Sequence, residues 1–441
     1  MRRNARHSQA GLPGDWTVQP IRALGDVHGG STPSRHVSRF WAGAIPWVTP
    51  GELTVLSAKY LSKTRECISE AGIASCGAKL LPKDTLLVTT RATLGAVALI
   101  STPTATNQGF KSIVFHDGSD PHFYFHLFHR LSPELARRAS GTTFLEVSTR
   151  EFGSIELPVP PLPEQRLIAE ILDTVDLAIR KTEAMIAKLG QVKQGLLHDL
   201  LTRGIDDNGE LRDPDRHPEQ FKDSPLGRIP KAWEATLVGS VVRQIEQGWS
   251  PDCESYPASA GQWGVLRTTS VVWAGYQGAE NKALPLALKP RPEYEVKPND
   301  VLMTRAGPNS RVGVVAFVTA TRSRLILSDK LYRLLPSHDV LPNFLVRALS
   351  GHHCQSHLST LKTGLAESQT NISKAIVRKL LIPVPPLQEQ WKIGDVLESQ
   401  NARFEREHTC LDKLRLLKQG LMDDLLTGRV RVTSLLQEAA T

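Results

Sequence analysis

Pro158-Val159-Pro160-Pro161-Leu162-Pro163-Glu164-Gln165 returns later in the chain as Pro383-Val384-Pro385-Pro386-Leu387-Gln388-Glu389-Gln390, an offset of 383 − 158 = 225. A second phrase, Lys193-Gln194-Gly195-Leu196-Leu197-His198-Asp199-Leu200-Leu201-Thr202, returns as Lys418-Gln419-Gly420-Leu421-Met422-Asp423-Asp424-Leu425-Leu426-Thr427, and 418 − 193 is again 225. The stretch between the two phrases therefore has one length in both copies. Loop lengths drift readily; a length kept twice marks a spacer.

That stretch reads as helix. It follows a Pro-rich strand end, Pro163 suits a first helical turn, and Glu164 and Glu389 place a carboxylate where the helix dipole favours one. Apolar residues then recur at 3,4 spacing: Ile168, Leu172, Val175, Ile179, Met185 or Ile186, Leu189, Leu196 and Leu200, and in the second copy Ile393, Leu397, Phe404, Cys410 or Leu411, Leu414, Leu421 and Leu425. A shared heptad register predicts a coiled-coil seam. Thr182, Lys193, Gln400, Glu407 and Lys418 interrupt it. Gly204 and Gly428 suit C-terminal caps. From Pro163 to Leu201 such a helix runs ~58 Å, far beyond an average helix, so it needs a partner. The other copy, packed antiparallel, is the expected one. Gly195 and Gly420, inside the helices, fit either a close approach by a neighbour or simple tolerance.

Working outward, the repeat continues with offsets that drift: Leu12-Pro13-Gly14-Asp15-Trp16 matches Ile229-Pro230-Lys231-Ala232-Trp233 (233 − 16 = 217), and Thr90-Arg91-Ala92 matches Thr304-Arg305-Ala306 (304 − 90 = 214). Short apolar runs (Leu86 to Val88, Ala96 to Ile100, Val301 to Met303, Val312 to Val318) separated by Gly, Pro, Asn and Thr read as strands, with helical patches near Tyr124 to Arg138 and Pro342 to Leu361. The expected fold class is α/β (α+β): two β-rich domains related by a pseudo-two-fold and joined by two long helices in an antiparallel coiled coil. The expected order is a first domain over 1–160 with a flexible arm over 1–11, a helix over 161–204, a polar linker over 205–228, a second domain over 229–385, a second helix over 386–429 and a tail over 430–441.

Composition is that of a globular chain, 40% hydrophobic and 22% charged. No apolar run approaches the ~20 residues that span a bilayer, so no membrane association is expected, and Arg2, Arg3 and Arg6 lead into no signal-peptide core. Five scattered cysteines without a CxxC pair point to reduced thiols in the cytoplasm. A formal net charge of +8 suits a polyanionic partner.

Catalytic signatures are sparse. Gly25-Asp26-Val27-His28-Gly29 is similar to the first motif of calcineurin-like metallophosphatases, but no GDxxD or GNH follows; Asp26 and His28 read as loop residues, leaving a metallophosphatase as a remote alternative. No P-loop, NPPY-type segment or nuclease pattern occurs, so no catalytic residue, metal or cofactor is assigned to this chain. For nucleic acid, Arg91 and Arg305 inside the repeated Thr-Arg-Ala are candidates to pair a phosphate or read guanine, against a structural role bonding backbone carbonyls. Lys111, Arg267, Arg311, Lys330 and Lys362 are further candidates, with Lys59, Lys63, Arg65 and Lys282 weaker ones. Base readers differ between domains that read different sequences, while phosphate clamps can repeat, and being shared favours the structural role for Arg91 and Arg305.

Together, the paired PxPPLxEQ helix starts, the paired KQGLL and KQGLM helix ends that continue into DLLT, the IPxxW entry and Phe221-Lys222-Asp223-Ser224-Pro225-Leu226-Gly227-Arg228-Ile229-Pro230 resemble the specificity (S) subunit of type I restriction-modification enzymes, over nearly the whole chain. The resemblance implies two target recognition domains, each reading half of a split duplex-DNA target, and helices that set the unread gap. It implies two modification (M) subunits carrying S-adenosylmethionine and two restriction (R) subunits using ATP and Mg, with catalysis on those partners. A specificity subunit serving a methyltransferase without a nuclease is the alternative.

Overall fold

The computed structural model describes residues 12–140, 145–362 and 370–438; the arm at Arg2, Arg3 and Arg6 lies outside them. The chain divides into two units, Met1–Ala184 with Thr409–Thr441, and Met185–His408.

The first unit holds a five-stranded sheet, in spatial order Gly25–Gly29, Phe110–Phe115, Leu86–Arg91, Thr93–Ile100 and Tyr60–Leu61. Antiparallel neighbours make most of it, and its central strands Leu86–Arg91 and Phe110–Phe115 are mostly buried on both faces, with Thr89, Thr90, Lys111 and Ser112 among the buried residues. A three-stranded sheet (Glu66–Ile68, Ile45–Val48, Ala105–Thr106) lies apart from it. The second unit repeats this plan with a four-stranded sheet of Val242–Gln247, Leu331–Pro336, Val301–Thr304 and Val315–Phe317, and a three-stranded sheet of Asn281–Ala283, Gly264–Leu266 and Leu325–Ile326. In both small sheets the middle strand pairs antiparallel on one side and parallel on the other.

Two readings change here. Asp26 and His28 lie in a strand paired with Phe110–Phe115, not in a loop. The run Val312 to Val318 yields only the strand Val315–Phe317: Gly313 takes a φ of 90°, and the Thr304 hydroxyl takes the Val314 N–H at 3.0 Å. Residues 205–228, polar in composition, are folded, with a hairpin of Phe221–Ser224 and Gly227–Pro230.

The long helices span Leu162–Thr202 and Leu387–Leu425, 41 and 39 residues. Each divides between the two units, and within each unit their halves run antiparallel. In the first unit Asp176 pairs with Lys418 at 2.6 Å and Glu183 with Arg415 at 2.8 Å, one partner number rising as the other falls. In the second, Lys193 lies over the Phe404 ring, while Leu200 shares a core with Ile393 and Leu397. Ile168, Leu172, Leu189, Leu200, Ile393, Leu397, Leu411 and Leu425 are buried, and Val175, Ile179, Leu196, Phe404, Leu414 and Leu421 half-buried. A Cβ at Gly195 or Gly420 would meet open space, so the facing helix does not explain these glycines. No helix among the described residues is long and apolar enough to cross a membrane.

Candidate functional site

The repeated Glu-Gln pair holds each unit to its helices. In the first unit the Trp16 indole donates from Nε1 to Glu164 Oε2 at 2.9 Å. Arg431, beyond the second helix, donates to both oxygens of Glu164 at 2.7 and 2.9 Å and to both of Asp15. In the second unit Trp233 Nε1 donates to Glu389 Oε2, also at 2.9 Å, and Arg212, beyond the first helix, donates to both Glu389 oxygens. A planar guanidinium forked onto a buried carboxylate is a strong, directional pair. The adjacent glutamines do a second task. Gln165 accepts the Asp120 N–H at 2.8 Å and donates to the Pro160 and Gly118 carbonyls; Gln390 accepts the Leu341 N–H at 2.8 Å and donates to the Pro385 and Asp339 carbonyls. Each glutamine thus ties a long-helix start to the loop leading into Pro121–Phe128 or Pro342–Ser350. Glu164 and Glu389 therefore answer a buried Trp and an Arg as well as the helix dipole. The recurrence of Trp with Glu in both halves was the available signal.

Each helix ends at a glycine of positive φ, 63° at Gly204 and 70° at Gly428. A Cβ at Gly204 would come within 2.6 Å of Glu389, Trp233 and Arg212, and one at Gly428 within 2.7 Å of Pro13.

The first unit adds a buried network. His126, fully buried, meets Asp173 at 2.8 Å through Nε2; a carboxylate only accepts, so this nitrogen carries the proton. Lys59 reaches Asp173 at 2.6 Å and Lys418 reaches Asp176 at 2.6 Å. Burial lowers the His126 pKa, against the pull of Asp173. Burial alone would raise the Asp173 carboxyl, but hydrogen bonds from His126 and Lys59 bring it to about 2. His126, Asp173 and Asp176 have the spacing of a metal triad, yet the two ammonium groups already neutralise both carboxylates.

The sequence-chosen cations fall into two sets. Arg91 and Lys111 turn toward one carboxylate, Glu146, at 3.6 and 3.5 Å, and Lys111 is buried because its strand is the second of the five-stranded sheet. Arg305 donates to the Asp329 carbonyl and the Asn371 side chain and lies over the Tyr332 ring. Lys362 donates to the Asn309 carbonyl, Lys59 to Asp173, and Arg311 is half-buried. Lys63 and Arg65 are exposed. By contrast, Arg267, Lys282 and Lys330 line one concavity of about 380 Å³, with both lysines exposed. Arg267 donates from Nη2 to the Ser255 carbonyl at 2.7 Å, while its Nε is buried without a partner among the described residues.

These features define a class: a scaffold of two units built by internal duplication around paired long helices, each unit with its own clamp. The family model of the type I restriction modification DNA specificity domain matches residues 13–191 and 268–415, and the chain belongs to that family. Among its relatives, the type I restriction enzyme MjaIX specificity subunit of Methanocaldococcus jannaschii is 27% identical over 96% of this chain and 95% of its own. The EcoEI specificity subunit of Escherichia coli is 38% identical over 43% of this chain and 32% of its own. In fold, the type I restriction-modification S subunit from M. genitalium aligns with a TM-score of 0.54 at 14% identity, covering 95% of this chain and 97% of that one. A chain from a solved type I R-M system aligns at 0.57 and 18% identity, covering 95% and 99%.

Proposed function

We propose that this chain is the DNA sequence-specificity subunit of a type I restriction-modification complex. Residues 1–160 and 229–385 are the two target recognition domains, each reading one half of a bipartite, asymmetric duplex target. The spacer helices, 161–204 and 386–429, set the unread gap, with 205–228 as the connection and 430–441 as the tail. The chain carries no catalytic residue. Two M subunits with S-adenosylmethionine methylate adenine, two R subunits with ATP and Mg translocate and cut, and the assembly works in the cytoplasm. One observation carries this reading: two units repeat their clamps, Trp16–Glu164 and Trp233–Glu389, while the outer strands of their small sheets carry opposite charges, Glu66 in the first and Lys282 in the second. A repeated scaffold with divergent rims fits two domains that read different sequences. In this reading Arg267, Lys330, Arg311 and Lys362 contact DNA, and Arg91, Lys111 and Arg305 support the loops that present the contacts. A methyltransferase-only complex differs solely in lacking R.

Single-molecule sequencing of host DNA for methyladenine tests the function. The expected result is a bipartite, asymmetric motif with a fixed gap that disappears on deletion of this gene. A continuous palindrome lost with the gene would overturn the proposal.

A further inference from the structure

We propose that the concavity lined by Arg267, Lys282 and Lys330 selects a guanine in the half-site read by the second unit, and that the matching positions Thr49, Glu66 and Gly109 set a different preference in the first. This rests on the DNA-reading function proposed above.

The correspondence comes from strand register. In the small sheet of the first unit, Trp47 stands opposite Glu66 on one side and Ala105 on the other. In the second, Val265 stands opposite Lys282 and Ile326. The loops that follow also match. Ser31 N donates to Thr106 O at 2.9 Å and Trp249 N to Leu327 O at 3.0 Å; the Thr32 hydroxyl bonds Gln108 and the Ser250 hydroxyl bonds Asp329, each at 2.5 Å. Gly30 and Gly248 are pressed alike, since a Cβ on either would meet a backbone carbonyl oxygen at 2.0 Å. One backbone is thus used twice.

On that backbone the side chains change sign. Where the second unit has Lys282, the first has Glu66, held by Arg35, whose guanidinium stacks 3.8 Å over Trp41. Where the second has Lys330, the first has Gly109, packed so closely on Pro50 that a Cβ would lie 2.5 Å from its ring. Thr49 takes the place of Arg267. The first rim carries an acid held by Arg35; the second carries Arg267, Lys282 and Lys330 with one acid, Glu280, which accepts from the Thr269 hydroxyl. The two exposed ammonium groups, with the Arg267 guanidinium lining the same concavity, present donors to a ligand, and guanine presents the complementary pair of major-groove acceptors, O6 and N7. The threonine hydroxyl that takes a backbone N–H repeats between the units, Thr89 for Ala96 at 2.9 Å and Thr304 for Val314 at 3.0 Å; residues at this rim do not.

The test uses the full chain in the complex purified from its host, selecting from a randomised duplex library. Wild type is compared with K282E, K330G and the double variant, all changes at exposed side chains. Wild type is expected to enrich a bipartite motif, and the variants to lose preference for one guanine in one half-site by about ten-fold while keeping the other half-site. Variants that select the wild-type motif unchanged, or that lose both half-sites equally, overturn the inference alone. A wild-type complex that enriches no bipartite sequence overturns the DNA-reading function and this inference with it.

Discussion

The Trp233 indole donates to Glu389 at 2.9 Å across 156 residues of chain, joining the entry of the second unit to the start of the second long helix. Both side chains are buried, and Arg212 forks onto the same carboxylate. Glu389→Ala would strand a half-buried cation and an indole N–H. A loss of ~3 kcal/mol or more is expected, against ~1 kcal/mol for Trp233→Phe, which removes one neutral donor. Urea unfolding of the full chain measures both; an Ala variant as stable as wild type would remove the clamp from the account.

The capping glycines are the second test. Gly204→Ala and Gly428→Ala each force a side chain into positive φ and into occupied space. A cost of at least ~1–3 kcal/mol is expected from the backbone alone, read as a lowered urea midpoint. Gly195→Ala and Gly420→Ala, which face open space, are expected to stabilise the isolated chain by ~1 kcal/mol through helix propensity.

Acid sensitivity is the third. With the His126 pKa lowered by burial, the unfolded chain takes up a proton below about pH 6.5 that the folded chain refuses, so stability falls as pH drops through that range by up to ~1.4 kcal/mol per unit. Asp173, held to about 2, contributes stability that is complete above about pH 4 and lost toward about pH 2. Asp176, Lys59 and Lys418 face the same network. His126→Asn is expected to flatten the slope between about pH 6.5 and about pH 5 in urea titrations. A slope equal to wild type would place the proton uptake elsewhere.

Helix length is the fourth. Seven residues inserted into Leu162–Thr202 alone make one helix ~10 Å longer than its partner, so clamps at both helix ends no longer match one register. Impaired assembly is expected in size-exclusion profiles. Matched insertions in both helices are expected to restore assembly and to widen the methylated motif's gap by ~3 base pairs, at 3.4 Å per pair. An unchanged gap would sink the spacer role.

Much of the architecture was legible because it is periodic. The 225-residue offset located both long helices, the 3,4 spacing marked residues that pack as a seam, and the glycines after Thr202 and Leu425 marked where the chain turns out. The site was less legible. Lys111 and Lys330 look alike as letters, yet one lies in an inner strand facing Glu146 and the other on an open rim. Arg305 reads as a free cation until the Asp329 carbonyl and Asn371 are seen around it.

The sequence by itself determined the duplication, the helix pair and the family, because repetition and periodicity are local properties of the chain. Only the tertiary structure decided which cations remain free to meet a ligand and what Glu164 and Glu389 hold. The two carboxylates answer partners 148 to 267 residues away in the chain and Arg305 partners 24 and 66 away, and desolvation and hydrogen-bond geometry act on distance in space.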